Sequence, residues 1–244
     1  MSTSVVVQVP AFEEGSEMLP VLGSIRDQPV PDSVSVDYQV WVTLSPPDRE
    51  LCSTWQAAVG AEGFDVYEAP PGKLTARNAA HNYAVREGYD VIVSWDADAP
   101  PLADHTFAEL LEPILNGSAS CVNSNPYSSS AGAFGAVVDV FASVEDVTVP
   151  HIHGQLHAMT ADAWRQAGPF DDGIDQTDVT EVRAEEEFAF RHRVQTQTES
   201  GVVVAPDATV YNDPRRAYCQ VPGLGQNPYC GQRGVRTFSP QFRR

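Results

Sequence analysis

Lysine is all but missing from this 244-residue chain: Lys73 is the only one, set against 33 Asp and Glu residues. Long apolar runs are missing too. None approaches the ~20 residues that span a bilayer, and the opening residues lack the basic-plus-apolar pattern of a secretion signal. A soluble, cytosolic protein is expected. Cysteine is scarce and scattered, at positions 52, 121, 219 and 230, with no close pair, so neither a zinc knuckle nor a disulfide framework is indicated.

What remains is a strongly acidic chain with a formal net charge of −18. Such a charge repels nucleic acid and keeps a protein soluble, but its self-repulsion opposes compaction unless salt screens it. Abundant carboxylates, retained arginine and almost no lysine point to high salt, as in the cytosol of a halophile or a virus growing there. The charge is uneven. Residues 214–244 hold six arginines and no Asp or Glu, leaving nine basic against 33 acidic residues before them, so the body carries −24 and the tail +6. A tail of this kind suits a phosphate-bearing ligand or an anionic membrane surface, or it folds back onto its own acidic body.

Hydrophobic patterning predicts strands alternating with helices. Val5–Val9 is a β-branched run typical of a strand buried on both faces. Ser16 offers an N-cap for a helix to about Asp27. Strands are predicted at Tyr38–Leu44, Phe64–Glu68, Asp90–Trp95 and Ala119–Asn123, with helices at Asp48–Val59, Thr75–Glu87 and Ala103–Leu115. Asn125–Gly135 reads as a loop and Ala136–Val149 as strands. Leu156–Met159 leads into a short helix at Ala161–Ala167. A helix at Glu181–Val194 and a strand at Val202–Ala205 follow. The alternation implies a single α/β domain with a mostly parallel central sheet flanked by helices. Residues 1–123 read as a nucleotide-binding first half, 124–213 as a more irregular second half, and 214–244 is the arginine-rich tail.

The chemistry concentrates between Pro70 and Pro101. The sole lysine follows a Pro-Pro-Gly turn at a helix start, where backbone N–H groups and the helix dipole favour an anion, and Arg77 lies one turn on. The apolar run Val91–Trp95 ends in Asp96-Ala97-Asp98. Two carboxylates at the end of a buried strand are costly without a cation, and a divalent metal carrying a diphosphate is the simplest one. His151, His153 and His157 would share a face of a continuous strand, but nothing marks a fourth ligand for zinc.

In their order, these motifs resemble inverting nucleotide-sugar glycosyltransferases of family 2, which have the glycosyltransferase-A fold; the resemblance covers roughly Val5 to Arg216. It implies that Pro10, Phe12 and Glu13 sit where the base and ribose bind, with Glu13 standing where Asn is usual. The turn after the second strand, Thr43-Leu44-Ser45-Pro46-Pro47-Asp48, departs from the family's Asp-rich turn. Gly72-Lys73, Ala76 and Asn78 match a Gly-Lys-x-x-Ala-x-Asn element on the donor diphosphate. Asp96 and Asp98 match the DxD motif that holds Mg2+ or Mn2+. Pro169-Phe170-Asp171 resembles an acceptor-side turn. Glu185, in Ala184-Glu185-Glu186-Glu187-Phe188-Ala189-Phe190-Arg191, falls at the catalytic base, with Glu186 as runner-up. Asp213 would complete the metal shell, and Arg215 and Arg216 would grip the donor phosphates.

The activity implied is metal-dependent transfer of a sugar from a nucleotide-diphosphate donor to the hydroxyl of a glycan, lipid phosphate or small molecule, with inversion. A catalytically degenerate nucleotide-sugar-binding protein is the alternative. A sugar nucleotidyltransferase would need a glycine-rich basic loop after the first strand, which Pro10-Ala11-Phe12-Glu13-Glu14 does not supply. A haloacid-dehalogenase-type phosphatase wants Thr or Val after the second Asp and a downstream lysine, where this chain has Ala99-Pro100 and none.

Overall fold

A computed structural model describes residues 2–11, 18–43, 56–70, 72–127, 155–170 and 182–211. Seven strands form one sheet in the order β3-β2-β1-β4-β6-β5-β7. They are β1 (Thr3–Ala11), β2 (Val34–Thr43), β3 (Asp65–Ala69), β4 (Val91–Trp95), β5 (Cys121–Tyr127), β6 (Leu156–Thr160) and β7 (Val202–Tyr211). Pairing is parallel throughout except at β6, which runs antiparallel to both β4 and β5. The mostly parallel sheet expected from the alternation is therefore present. Helices α1 (Leu19–Arg26), α2 (Lys73–Glu87), α3 (Thr106–Leu115), α4 (Ala161–Ala167) and α5 (Val182–Gln197) cover it, and residues 56–61 are also helical.

β1 and β4 read as apolar runs because both of their faces are covered. On one face Val5, Val7 and Val93 pack against Leu22 of α1 and Phe107 and Leu110 of α3. On the other, Val6, Ile92 and Met159 meet Leu74 of α2, Trp164 of α4 and Phe190 of α5. Gly72 starts α2 at φ 104°, a conformation that disfavours a side chain, and Gly88 ends it in the left-handed region at φ 87°.

Three local differences from the sequence reading have identifiable causes. Helix α3 starts at Thr106 rather than Ala103, because 101–105 is strapped to β7. Pro101 bridges Val210, the Leu102 amide donates to the Thr209 carbonyl, and the Thr106 hydroxyl bonds Thr209 as well. β5 continues through Asn125, Pro126 and Tyr127, read above as loop, because each residue has a partner on an equally extended β7. A register irregularity at Asn123/Asn125 accommodates the polar residues there. Helix α1 starts at Leu19, with Pro in its first turn; the N-cap expected at Ser16 lies outside the described residues, as do the strands expected at 136–149.

Candidate functional site

The chain runs from β1 outward through β2 to β3, then returns to place β4 on the other side of β1. This reversal of winding makes the carboxyl ends of β1 and β4 a topological switch point, the place where open α/β sheets bind ligands. Pro10 and Ala11 close β1 there, and Asp96 follows β4 directly.

The Asp96–Asp98 turn is tightly held. The Asp96 amide donates to the Gln155 carbonyl at 2.7 Å, the Ala99 amide to the Asp96 carbonyl at 3.1 Å, and the Trp95 indole N–H to the Ala99 carbonyl at 2.6 Å. Ala97 and Ala99 are buried while Asp98 is partly exposed. Asp96 is 9% exposed, and its Oδ1 accepts from Nη2 of the buried Arg77 at 2.8 Å. A cation for the first carboxylate is thus built into the protein, and Asp98 follows it on the same turn.

Arg77 reaches this position from the second turn of α2, one turn beyond Lys73, which opens the helix. Asn78, expected at the donor, bonds the backbone at Phe170. Its Nδ2 donates to the Phe170 carbonyl, and its Oδ1 accepts from the Phe170 amide, both at 2.9 Å. Phe170 in turn packs on Phe190 of α5 with ring centroids 4.3 Å apart, and Arg193 donates to the Ala167 and Pro169 carbonyls. Glu185 and Glu186 lie on α5, about one turn before Phe190. The structure thereby connects Pro10, Arg77, Asn78, Asp96, Asp98 and the helix bearing Glu185 through adjoining elements. Phe12, Glu13, Ser45, His151, His153, Asp213, Arg215 and Arg216 lie outside the described residues.

Sequence reasoning missed a buried polar row that crosses the sheet. At one register level, Gln39 of β2, Gln8 of β1, Ser94 of β4, His157 of β6 and Asn123 of β5 stand side by side on the α2 face. None is more than 1% exposed. One level below lie Val6, Ile92, Met159 and Cys121, all apolar and buried; burial pushes the Cys121 thiol up to about 12. The polar row marks where dry core gives way to the site. Its signal in the sequence was a single polar residue set into an apolar run, Gln8 in β1 and Ser94 in β4. Above the row His81 of α2 is fully buried, and burial, then His157, then Arg77 hold its imidazole well below the ordinary histidine range.

Among the described residues no three His, Cys, Asp or Glu side chains converge as a protein-only metal cage. Mg2+ and Mn2+ in phosphate-transfer sites typically take only one or two carboxylates, with phosphate and water completing the shell. Asp98 on a rigid turn fits that kind of binding. No helix among the described residues is long and apolar enough to cross a membrane.

The architecture is that of glycosyltransferase-A enzymes. A mannosyltransferase from Pyrobaculum calidifontis, solved with GDP-Man and Mn2+, superposes with a TM-score of 0.61 at 20% identity, over 87% of this chain and 57% of that one. Glucosyl-3-phosphoglycerate synthase from Mycobacterium tuberculosis, solved with Mg2+ and UDP, gives 0.54 at 16% identity over 86% and 70% of the two chains. TarS of S. aureus gives 0.57 at 12% identity, over 87% of this chain but 37% of its own. The chain therefore spans little more than half the length of the mannosyltransferase it resembles. No family model and no curated protein matches it in sequence.

Proposed function

We propose that this protein transfers a sugar from a nucleotide-diphosphate donor to an acceptor hydroxyl, with a divalent metal and with inversion. The observation that carries the reading is the position of Asp96-Ala97-Asp98, on a rigid turn at the switch point, beside the helix that Gly72 and Lys73 open. The neighbours solved with GDP-Man and Mn2+, or with UDP and Mg2+, support a donor of this class.

In this reading Pro10, Phe12 and Glu13 border the base and ribose. Lys73 and the N-terminus of α2 meet the diphosphate, helped by Arg215 and Arg216. Arg77 holds Asp96 in place, so that Asp96 faces the ribose side of the donor. Asp98, with Asp213, would hold Mg2+ or Mn2+, which when bound offsets charge on the departing nucleoside diphosphate. Glu185 takes the proton of the acceptor hydroxyl as its oxygen attacks the anomeric carbon from the face opposite the diphosphate; Glu186 is the neighbouring candidate. The acceptor is a hydroxyl on a glycan, a lipid phosphate or a small molecule. The basic tail suits its phosphate or an anionic membrane surface, and the acidic body suits a salt-rich cytosol.

Donor panels of GDP-, UDP- and dTDP-sugars with Mn2+ or Mg2+ in multimolar salt test this directly. Glu185→Gln is expected to keep donor binding and lose transfer. Transfer at the wild-type rate by that variant would remove Glu185 from the role of base. Binding without turnover in the wild type would favour a nucleotide-sugar-binding protein.

A further inference from the structure

Helix α2 carries the arginine that holds Asp96, yet the face it turns to the sheet includes Arg77, Asn78 and His81, all buried, among small alanines. An apolar stripe seats a helix without fixing its axial position, whereas directional hydrogen bonds fix it to within a fraction of a residue. The Tyr67 hydroxyl of β3 meets the Tyr83 hydroxyl of α2 at 3.1 Å, and two further bonds from the sheet to α2 come from Gln8. Its Nε2 donates to the Ala80 carbonyl at 2.7 Å, and its Oε1 lies 2.9 Å from His81 Nδ1. Because the Ala80 carbonyl can only accept, the Gln8 amide can have only one orientation. Oε1 must then face His81, and His81 Nδ1 must carry the proton. Gln39 reinforces this, since its Oε1 accepts from both Gln8 Nε2 and the Trp41 indole N–H. His81 is four residues after Arg77, on the same helical stripe.

We propose that His81 is a positioning residue for the Arg77–Asp96 pair: locked as the neutral Nδ1–H tautomer against Gln8, it fixes where α2 sits on the sheet and so where the Arg77 guanidinium meets Asp96. The titratable or charged groups facing it are His157 from β6 and Arg77 from its own helix; β1 presents the uncharged Gln8, and α4 presents Trp164 at 4.7 Å between ring centroids. A second cation beside Arg77 would disrupt the arrangement, so the neutral form is the one that works. Asparagine can place its amide nitrogen near the imidazole Nδ1 and cannot titrate, which separates hydrogen bonding from bulk.

The inference rests on the donor-site reading only for its functional consequence, so two measurements are paired. In 15N NMR of the intact chain, His81 is expected to show a protonated Nδ1 and an unprotonated Nε2. The shifted Arg77 guanidinium signal of a buried ion pair is expected to persist in His81→Asn and vanish in His81→Ala. Titration calorimetry with GDP and UDP in the presence of Mn2+ is expected to give about tenfold weaker binding for His81→Ala, largely restored in His81→Asn. An Nε2–H tautomer, or an unchanged Arg77 signal in His81→Ala, overturns the proposal. So does His81→Ala binding as wild type despite a lower Tm, which would make the residue merely structural. If the wild type binds neither nucleotide while the NMR results hold, the glycosyltransferase reading fails and the positioning role stands.

Discussion

Replacing Arg77 with methionine keeps most of the side chain's aliphatic volume and deletes the guanidinium, leaving the Asp96 carboxylate without its 2.8 Å partner. The two side chains are 2% and 12% exposed, so bulk water cannot take over the lost interaction. Removing one member of a buried pair costs roughly 3–5 kcal/mol, much of it the penalty of an uncompensated buried charge. For a domain whose total stability is about 5–15 kcal/mol, that is a large share. Arg77→Met with Asp96→Asn removes both charges, and the double variant is expected to recover at least half of the loss. Urea titration at fixed multimolar KCl reads all four corners of this cycle, whereas guanidinium chloride would change ionic strength along with denaturant. Because the pair is shielded, the coupling is expected to change little between 1 and 3 M salt, roughly the range over which surface pairs are already screened. A loss below about 1 kcal/mol for Arg77→Met, as at exposed pairs, would refute the reasoning.

Three further outcomes follow from other contacts. Asn78→Ala strands the Phe170 amide and carbonyl, each buried group costing about 1–3 kcal/mol when unsatisfied, and is expected to loosen the α2–α5 connection in hydrogen exchange. The His81 imidazole is held low in the folded state, so below the ordinary histidine value of about 6.5 the unfolded chain binds the extra proton. Its contribution is therefore complete above that pH and declines as pH falls, by up to about 1.4 kcal/mol per pH unit; His81→Asn is expected to flatten this part of the stability profile in urea titrations from pH 8 to 5. Finally, with a net charge of −18 the chain is expected to lose stability on dilution from multimolar to low salt. A melting temperature indifferent to salt would count against the halophilic reading.

Much of the sheet was legible because strands buried on both faces spell themselves as apolar runs. β1 and β4 came from Val5–Val9 and Asp90–Trp95, and α2 from the helix read at Thr75–Glu87. The strand character of 125–127 was not legible, since Ser, Asn and Pro composition argued for a loop and only pairing with β7 overrides it. Nor was the true start of α3, which is set by the strap between 101–106 and Thr209, more than 100 residues away. The place of Asp96 and Asp98 directly after β4 was legible, because the strand before them is a hydrophobic run. That Arg77 meets Asp96, and that Asn78 serves Phe170, required the packing of α2 against β1 and α4, which local sequence does not encode. The polar row was hidden for a related reason: Gln8, Gln39, Ser94, His157 and Asn123 are far apart in sequence and become one row only through strand register.

Calorimetric titration of GDP and UDP into the wild type and Asp98→Ala, with and without Mn2+ in multimolar salt, bears most directly on the proposed donor site. Metal-strengthened binding of at least one nucleotide by the wild type, lost in Asp98→Ala while the fold and melting temperature persist, is the predicted result. Equal affinity of the two proteins, or binding indifferent to the metal, would contradict it.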